Sequence, residues 1–153
     1  MAISEKDKKI LENIAGDTLA TKSQRLAGFV ITKVAFIVFT VLCAALFDLL
    51  GLKGAFAFAS AFMIALIIHI VMLASLRQTV GMYVLRLGIE ADTIGKFSVA
   101  RLIAIRILLN WVLPFIPVFG LLSLFNYLNI TGNGTNRCIH DELSNSIVVK
   151  RAA

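Results

Sequence analysis

Residues 54–76, GAFAFASAFMIALIIHIVMLASL, form a run of 23 residues without Asp, Glu, Lys or Arg. A helix of this length rises about 35 Å, which exceeds the ~30 Å hydrocarbon core of a bilayer. Ala57, Ala61 and Ala65 lie on one face of that helix, and small residues at this spacing let a second helix approach closely. The run therefore predicts a transmembrane helix packed within a bundle.

His69 continues the alanine face by four residues, so we expect its side chain to face the bundle rather than lipid. Two interpretations remain open for this histidine. It is either a packed, hydrogen-bonded residue or a group that relays protons.

The composition of the 153-residue chain agrees with a membrane protein, because 59% is hydrophobic and only 16% is charged. About a quarter of a typical soluble domain is charged. The net charge of +6 comes from basic residues beside apolar runs, which favours membrane orientation over nucleic-acid binding. Cys43 and Cys138 fit neither a disulfide framework nor a metal site, so we expect no metal and no cofactor.

The remaining segments follow from charge and apolar periodicity. An amphipathic helix is predicted at the N-terminus, either on the membrane surface or in solvent. A glycine turn joins the first two spans, and two strand-like fragments near residues 83–89 and 146–149 are expected to pair outside the membrane. The predicted segments are the amphipathic helix 4–22, span 26–50, span 54–76, a polar connection 77–96, an apolar region 97–130 and a tail 131–153.

The apolar region 97–130 has two interpretations, because Pro114 and Pro117 interrupt it. It is either one kinked span at roughly 105–130 or a hairpin of two short helices, 97–113 and 118–130. The N-terminal 25 residues and residues 77–106 are rich in Lys and Arg, whereas the first loop holds only Lys53. The positive-inside rule therefore favours the hairpin, which returns the basic tail to the cytoplasm beside the N-terminus.

The expected fold class is an all-α membrane bundle of three to four hydrophobic helices. The amphipathic helix and the short strand-like segments would form a small cytoplasmic cap. The expected location is a bacterial inner (plasma) membrane, which the chain crosses several times.

The tail carries a resemblance to a known family. Residues 137–149, RCIHDELSNSIVV, resemble the closing motif of the RDD family of small membrane proteins, where Arg and His-Asp precede a small-residue turn and a Val-Val strand. Residues 78–87, QTVGMYVLRL, resemble the family's Thr-Leu-Gly-Lys segment and the strand after it, with Met82 in place of the lysine. Residues 25–28 resemble the opening motif, so the resemblance covers about residues 20–150.

The family is named for one arginine and two aspartates. Arg25 matches the arginine, and His140-Asp141 matches the pair that contains the second aspartate. The first aspartate is expected seven residues after the arginine, where this chain has Thr32 followed by Lys33. A carboxylate inside a membrane is a natural cation or proton site, whereas a threonine holds no negative charge and a lysine repels cations.

Other polar residues are candidates for contacts inside the bundle. Arg106 and Asn110 are four residues apart and therefore share a helix face. For Arg25 the sequence suggests either an anionic lipid phosphate at the cytoplasmic face or Asp141 as a partner. The arginines that we expect as donors to Asp141 are Arg25, Arg86, Arg101 and Arg137.

Two functional hypotheses follow. Members of the RDD family are implicated in cation/proton antiport, so the resemblance implies transport. The missing membrane aspartate and the lack of any catalytic set favour a non-catalytic membrane protein that binds another membrane or secreted protein. A homo-oligomer is the alternative to a membrane-protein partner, and transport by so few spans would require one to enclose a pathway. We expect no enzymatic activity in either case.

Overall fold

The computed structural model describes residues 18–91, 99–108, 111, 138, 141, 143, 144 and 146–151. Helices predominate in these ranges, with one small antiparallel sheet. The helices are α1 (Lys22–Leu49), α2 (Ala55–Leu76), α3 (Val80–Val84) and α4 (Val99–Ile107), and the strands are β1 (Thr18–Leu19), β2 (Leu87–Ala91) and β3 (Ser146–Lys150).

Helix α1 begins at a capping box. The Thr21 hydroxyl accepts a hydrogen bond from the Gln24 backbone N–H at 3.3 Å, and the Gln24 side chain accepts one from the Thr21 N–H at 3.0 Å. This pair satisfies two N–H groups that the first turn leaves without helical partners. Helix α1 therefore starts four residues before the predicted span 26–50, and it ends at the predicted glycine turn, where Gly51 and Gly54 have positive φ.

Helix α2 matches the predicted span 54–76 almost residue for residue. Its buried positions recur every four residues and face α1. They are Ala57, Ala61, Ala65, His69 and Leu73, as the small-residue spacing predicted. The buried positions of α1 recur in the same way and are Arg25, Gly28, Thr32, Phe36 and Thr40.

Helices α1 and α2 are the two helices in the described ranges that are long and apolar enough to cross a membrane. Only 17% and 28% of their most apolar windows are buried inside the protein. A core helix of a soluble protein would be mostly buried, whereas these helices expose many Leu, Ile, Val and Phe side chains. Such extended apolar surfaces are stable in lipid and unfavourable in water.

The strands form a three-stranded antiparallel sheet in the order β1-β3-β2. Leu19 pairs with Val149, and Ile89 pairs with Val148. Pairing of the two strand-like fragments is therefore confirmed, and the apolar residues of β3 are buried.

Two predicted segments differ from the structure. Residues 18–19 pair with β3, so the helix predicted over 4–22 does not extend to its C-terminal end, and residues 4–17 lie outside the described ranges. Tyr83 and Val84, predicted to begin a strand, belong to α3. The Thr79 side chain caps α3 by accepting from the Met82 N–H, and the strand begins only after Arg86, which has a φ of 56°.

The third apolar region is described only in part. Helix α4 lies within the predicted first arm, 97–113, and packs against α2. The proline turn and the second arm lie outside the described residues, so the choice between one kinked span and a hairpin stays a prediction.

Candidate functional site

Asp141 lies between two arginines from different helices. Its Oδ2 accepts a hydrogen bond from Arg25 Nη1 at 3.0 Å, and its Oδ1 accepts one from Arg106 Nη2 at 2.5 Å. All three side chains are almost completely buried. We call these three residues the Asp141 clasp.

The clasp joins three distant parts of the chain. Arg25 lies in the first turn of α1, Arg106 lies near the end of α4, and Asp141 precedes β3. Arg25 Nη2 also donates to the Val148 carbonyl at 3.2 Å, which ties α1 to the central strand. Moving the tail away from the helices would leave the buried charges without their partners, which is unfavourable. The clasp therefore fixes the tail against the helices.

Small polar groups complete the environment of Asp141. The Ser146 hydroxyl donates to Oδ1 at 3.4 Å and lies 2.8 Å from the Ser144 hydroxyl. The Asp141 N–H donates to the Cys138 carbonyl at 3.0 Å. Burial, with a smaller effect of the Asp141 charge, raises the pKa of the Cys138 thiol to about 12. Cys138 therefore remains a neutral thiol at physiological pH and is a poor nucleophile or metal ligand.

Thr32 lies at a second polar contact, where α1 meets α3. Its hydroxyl donates to the Gly28 carbonyl at 2.7 Å and accepts from the Gly81 N–H at 3.0 Å. The Thr79 hydroxyl is 2.8 Å away and donates to Thr32, because the Thr32 proton is already given to Gly28. We call Gly28, Thr32, Thr79 and Gly81 the Thr32 crossing.

The backbones approach closely at the Thr32 crossing. A Cβ placed on Gly81 would lie 1.9 Å from the Gly28 carbonyl oxygen, so only glycine fits there. Thr32, at the position where the family resemblance led us to expect an aspartate, is therefore a helix-packing residue. An ionised aspartate could not donate to Gly28, because a carboxylate only accepts hydrogen bonds.

An aromatic cluster surrounds Lys33 and His69. Lys33 Nζ lies 3.5 Å from the centroid of the Trp111 ring, which is within cation–π range. The Trp111 ring is 3.9 Å from Phe36 and 5.5 Å from His69, measured between centroids. The Phe36 and Trp111 rings therefore cover part of the surface of these two polar side chains.

A cavity of about 50 Å³ connects the clasp with this cluster. A water needs roughly 10–15 Å³ by this measure, so the cavity has room for about three to five waters. Its polar and ionisable lining in the described residues consists of Arg25, Thr32, Lys33, His69, Thr79, Arg106, Cys138 and Asp141. The Nε atoms of Arg25 and Arg106 are buried and have no hydrogen-bond partner in the described part of the chain.

The structure brings most of the sequence-predicted residues together. Six of them line this cavity, and Arg25 is confirmed as a donor to Asp141; the six are Arg25, Thr32, Lys33, His69, Arg106 and Asp141. Arg101, on the same helix as Arg106, is exposed and does not line the cavity. His140 and Asn110 lie outside the described residues, so the proposed Arg106–Asn110 contact stays a prediction.

Sequence reasoning missed two contributors. Arg106 was not among the arginines expected to bind Asp141, and Trp111 was not identified. A weak signal for Trp111 existed, because it is the single tryptophan of the chain and follows Arg106 by five residues in an apolar segment.

Among the described residues, no group of three His, Cys, Asp or Glu side chains could hold a metal ion.

Comparison with known proteins identifies the family. The sequence profile of the RDD family matches residues 19–145, from β1 through the Asp141 clasp. No curated protein and no solved structure matches the chain. The match covers well over half of the sequence and agrees with the two exposed apolar helices. The chain is therefore an integral membrane protein of the RDD family.

Proposed function

We propose that this RDD-family chain is a non-catalytic accessory of another membrane protein and does not itself move cations. The Thr32 crossing is the observation that carries the proposal. At the position of the family's membrane aspartate, this chain has a neutral side chain whose hydroxyl is already used for helix packing. A cation pathway would lack its most natural ligand there.

The charge around the cavity supports the same proposal. Its described lining holds Arg25, Lys33 and Arg106 but one carboxylate, Asp141. A cation entering this space would meet an excess of positive charge in a medium of low dielectric constant, where repulsion is strong.

The proposed topology has several spans and both ends in the cytoplasm of a bacterial cell. The clasp supports it, because it holds the residues before β3 against the first turn of α1. The N-terminal basic residues favour the cytoplasmic side, and the tail would then lie on that side too. A reporter fused to the C-terminus tests this, since an external tail would contradict the proposal.

The partner would contact the exposed apolar faces of α1 and α2 within the bilayer. Photo-crosslinking from α2 tests this, with a reactive residue at Ile67, which is 53% exposed, and a matched one at Ala61, which is fully buried. We expect an adduct with a second membrane protein from Ile67 and not from Ala61. Adducts only with lipid or with itself, at every exposed position of both helices, would contradict an accessory role.

Cation/proton transport is the second candidate. One observation favours it: a cavity lined by ionisable groups, including His69, lies between helices that could cross a membrane. Purified protein in sealed vesicles tests it by following proton movement driven by a sodium or potassium gradient. Movement above that of empty vesicles, at any pH in the tested range, would replace the accessory proposal.

A further inference from the structure

We infer that the cavity beside the Asp141 clasp binds a phosphate oxyanion, supplied either by a phospholipid headgroup or by free phosphate. This site goes beyond the accessory function and does not depend on it. It rests on the charge of the clasp, on the two Nε atoms without partners and on the size and position of the cavity.

The clasp is not neutral by itself. Arg25 and Arg106 carry two positive charges, and Asp141 carries one negative charge. Each guanidinium contacts a different oxygen of the carboxylate through a single nitrogen, so neither forms a bidentate pair with it. Burying the remaining positive charge in a low-dielectric interior is costly unless an anion accompanies it.

The two arginines also keep unused donors. Arg25 and Arg106 are each 4% exposed, and both Nε–H groups lack an acceptor in the described structure. A buried donor without a partner costs about 1–3 kcal/mol, and more when it belongs to a charged group. Two such donors on neighbouring guanidinium groups are best satisfied by one ligand with several acceptor oxygens.

The cavity fits a small oxyanion better than a single ion. Its volume of about 50 Å³ corresponds to about three to five waters, which is comparable to the heavy atoms of a phosphate group. Arginine matches the geometry of phosphate because its planar N–H groups can bind two oxygens at once. Lys33 also lines the cavity and adds a third cationic group on the side of Trp111.

The depth of the site is compatible with a lipid headgroup. Arg25 lies three residues after the start of α1, and Lys33 lies eight residues further along the helix. At 1.5 Å per residue, the two side chains originate about 5 and 16 Å from that helix end. Where α1 crosses a bilayer, the clasp end of the cavity lies near the level of the phospholipid phosphates. In the proposed topology this is the cytoplasmic leaflet, which is rich in anionic lipids.

Trp111 provides a direct reporter for binding. It is the single tryptophan of the chain and it lines the cavity. The full-length protein, purified in a sugar-based detergent without phosphate, is titrated with inorganic phosphate or with short-chain phosphatidylglycerol. Sodium chloride at matched ionic strength and a neutral monoglyceride serve as controls. We expect a saturable change in Trp111 fluorescence with at least one phosphate compound and with neither control.

Matched variants locate the site. Arg106→Lys keeps a cation for Asp141 but removes the Nε–H, so we expect apparent affinity to fall on the order of tenfold. Arg101→Lys is the same change on an exposed position of the same helix and should leave affinity unchanged. If Arg106→Lys does not fold, as judged by circular dichroism, Lys33→Gln takes its place and should weaken binding.

The outcomes separate the two sources of phosphate. Saturation by phosphatidylglycerol alone assigns the site to a headgroup, and saturation by inorganic phosphate, with or without a response to phosphatidylglycerol, assigns it to free phosphate. Three results would overturn the inference: no saturable response in the wild type, an equal response to the neutral lipid, or equal affinity in the cavity variant and in Arg101→Lys.

Discussion

The Asp141 clasp and the Thr32 crossing are both buried polar contacts of α1, through Arg25 and Thr32, which lie seven residues apart on one helix face. They differ in how many of their hydrogen-bond donors and acceptors have partners. In the crossing, the Thr32 hydroxyl uses its donor and accepts from Thr79 and Gly81. In the clasp, two guanidinium groups share one carboxylate and keep two donors without partners among the described residues. The neutral contact therefore satisfies its own hydrogen bonds, whereas the charged contact leaves donors for the phosphate ligand that we infer.

Removing the carboxylate should have the largest effect, because it breaks the clasp and leaves both arginines buried without a counter-ion. For Asp141→Asn we expect the free energy of unfolding to fall by about 3–5 kcal/mol. Equilibrium unfolding in detergent measures this change.

Glu90→Gln is the control for this charge removal. Glu90 lies 4.0 Å from Arg77 and 3.9 Å from Arg151, and all three side chains are partly exposed. A solvent-exposed pair contributes at most about 1 kcal/mol. Equal losses in Asp141→Asn and Glu90→Gln would show that the clasp is no more important than a surface ion pair.

The next largest loss of stability is expected where the backbones of α1 and α3 approach closely at the Thr32 crossing. In Gly81→Ala the new methyl group collides with the Gly28 carbonyl oxygen, so α3 must move away from α1. We expect a loss of at least about 2 kcal/mol, measured by the same unfolding experiment.

Gly28→Ala is the matched control on the other side of this contact. A Cβ on Gly28 would meet its neighbours at 3.7 Å, which is ordinary contact. Because alanine is favoured over glycine inside a helix, this variant should be neutral or up to about 1 kcal/mol more stable. Similar destabilisation by both changes would mean that the crossing is less tightly packed than the structure indicates.

Much of the fold could be predicted from the sequence because its signals are local. The charge-free run 54–76 and the four-residue spacing that ends at His69 are properties of one helix, and both are confirmed. The start of α1 was predicted four residues too late, because the span was defined by its apolar residues and the Thr21–Gln24 capping box was not recognised. The strand predicted from Tyr83 failed because the Thr79 cap and the contact with α1 outweigh β-branched propensity there.

The candidate site was only partly predictable, because its contacts join distant segments. The RDD motif indicated Arg25 and Asp141, and their hydrogen bond spans 116 residues. Nothing in the local sequence directs Arg106 to Asp141 or places Trp111 against Lys33. These contacts depend on how α4 packs beside α2, which the spacing of apolar residues does not define.

A smaller effect should follow from removing one hydroxyl at the Thr32 crossing. In Thr32→Val the shape is kept, but the Gly81 N–H and the Thr79 hydroxyl lose their acceptor. We expect a loss of about 1–2 kcal/mol. The control is Thr40→Val two turns further along α1, where the buried hydroxyl has no partner in the described ranges and the change should be neutral or stabilising. Loss of stability in both variants would contradict the hydrogen-bond explanation.

The smallest effect is expected in the reaction rate of the Cys138 thiol. The carbonyl of this residue accepts a hydrogen bond from the Asp141 N–H. With a pKa near 12, about one thiol in ten thousand is ionised at pH 8, and reaction with a water-soluble maleimide requires the thiolate. In a Cys43→Ala background, labelling at pH 8 should therefore be close to background and should increase as pH rises. Asp141→Asn should label faster at the same pH, because an opened clasp admits water and reagent. Rapid labelling of the Cys43→Ala protein with Asp141 intact would show that the clasp opens readily. The clasp and the Thr32 crossing would then differ in how often they open.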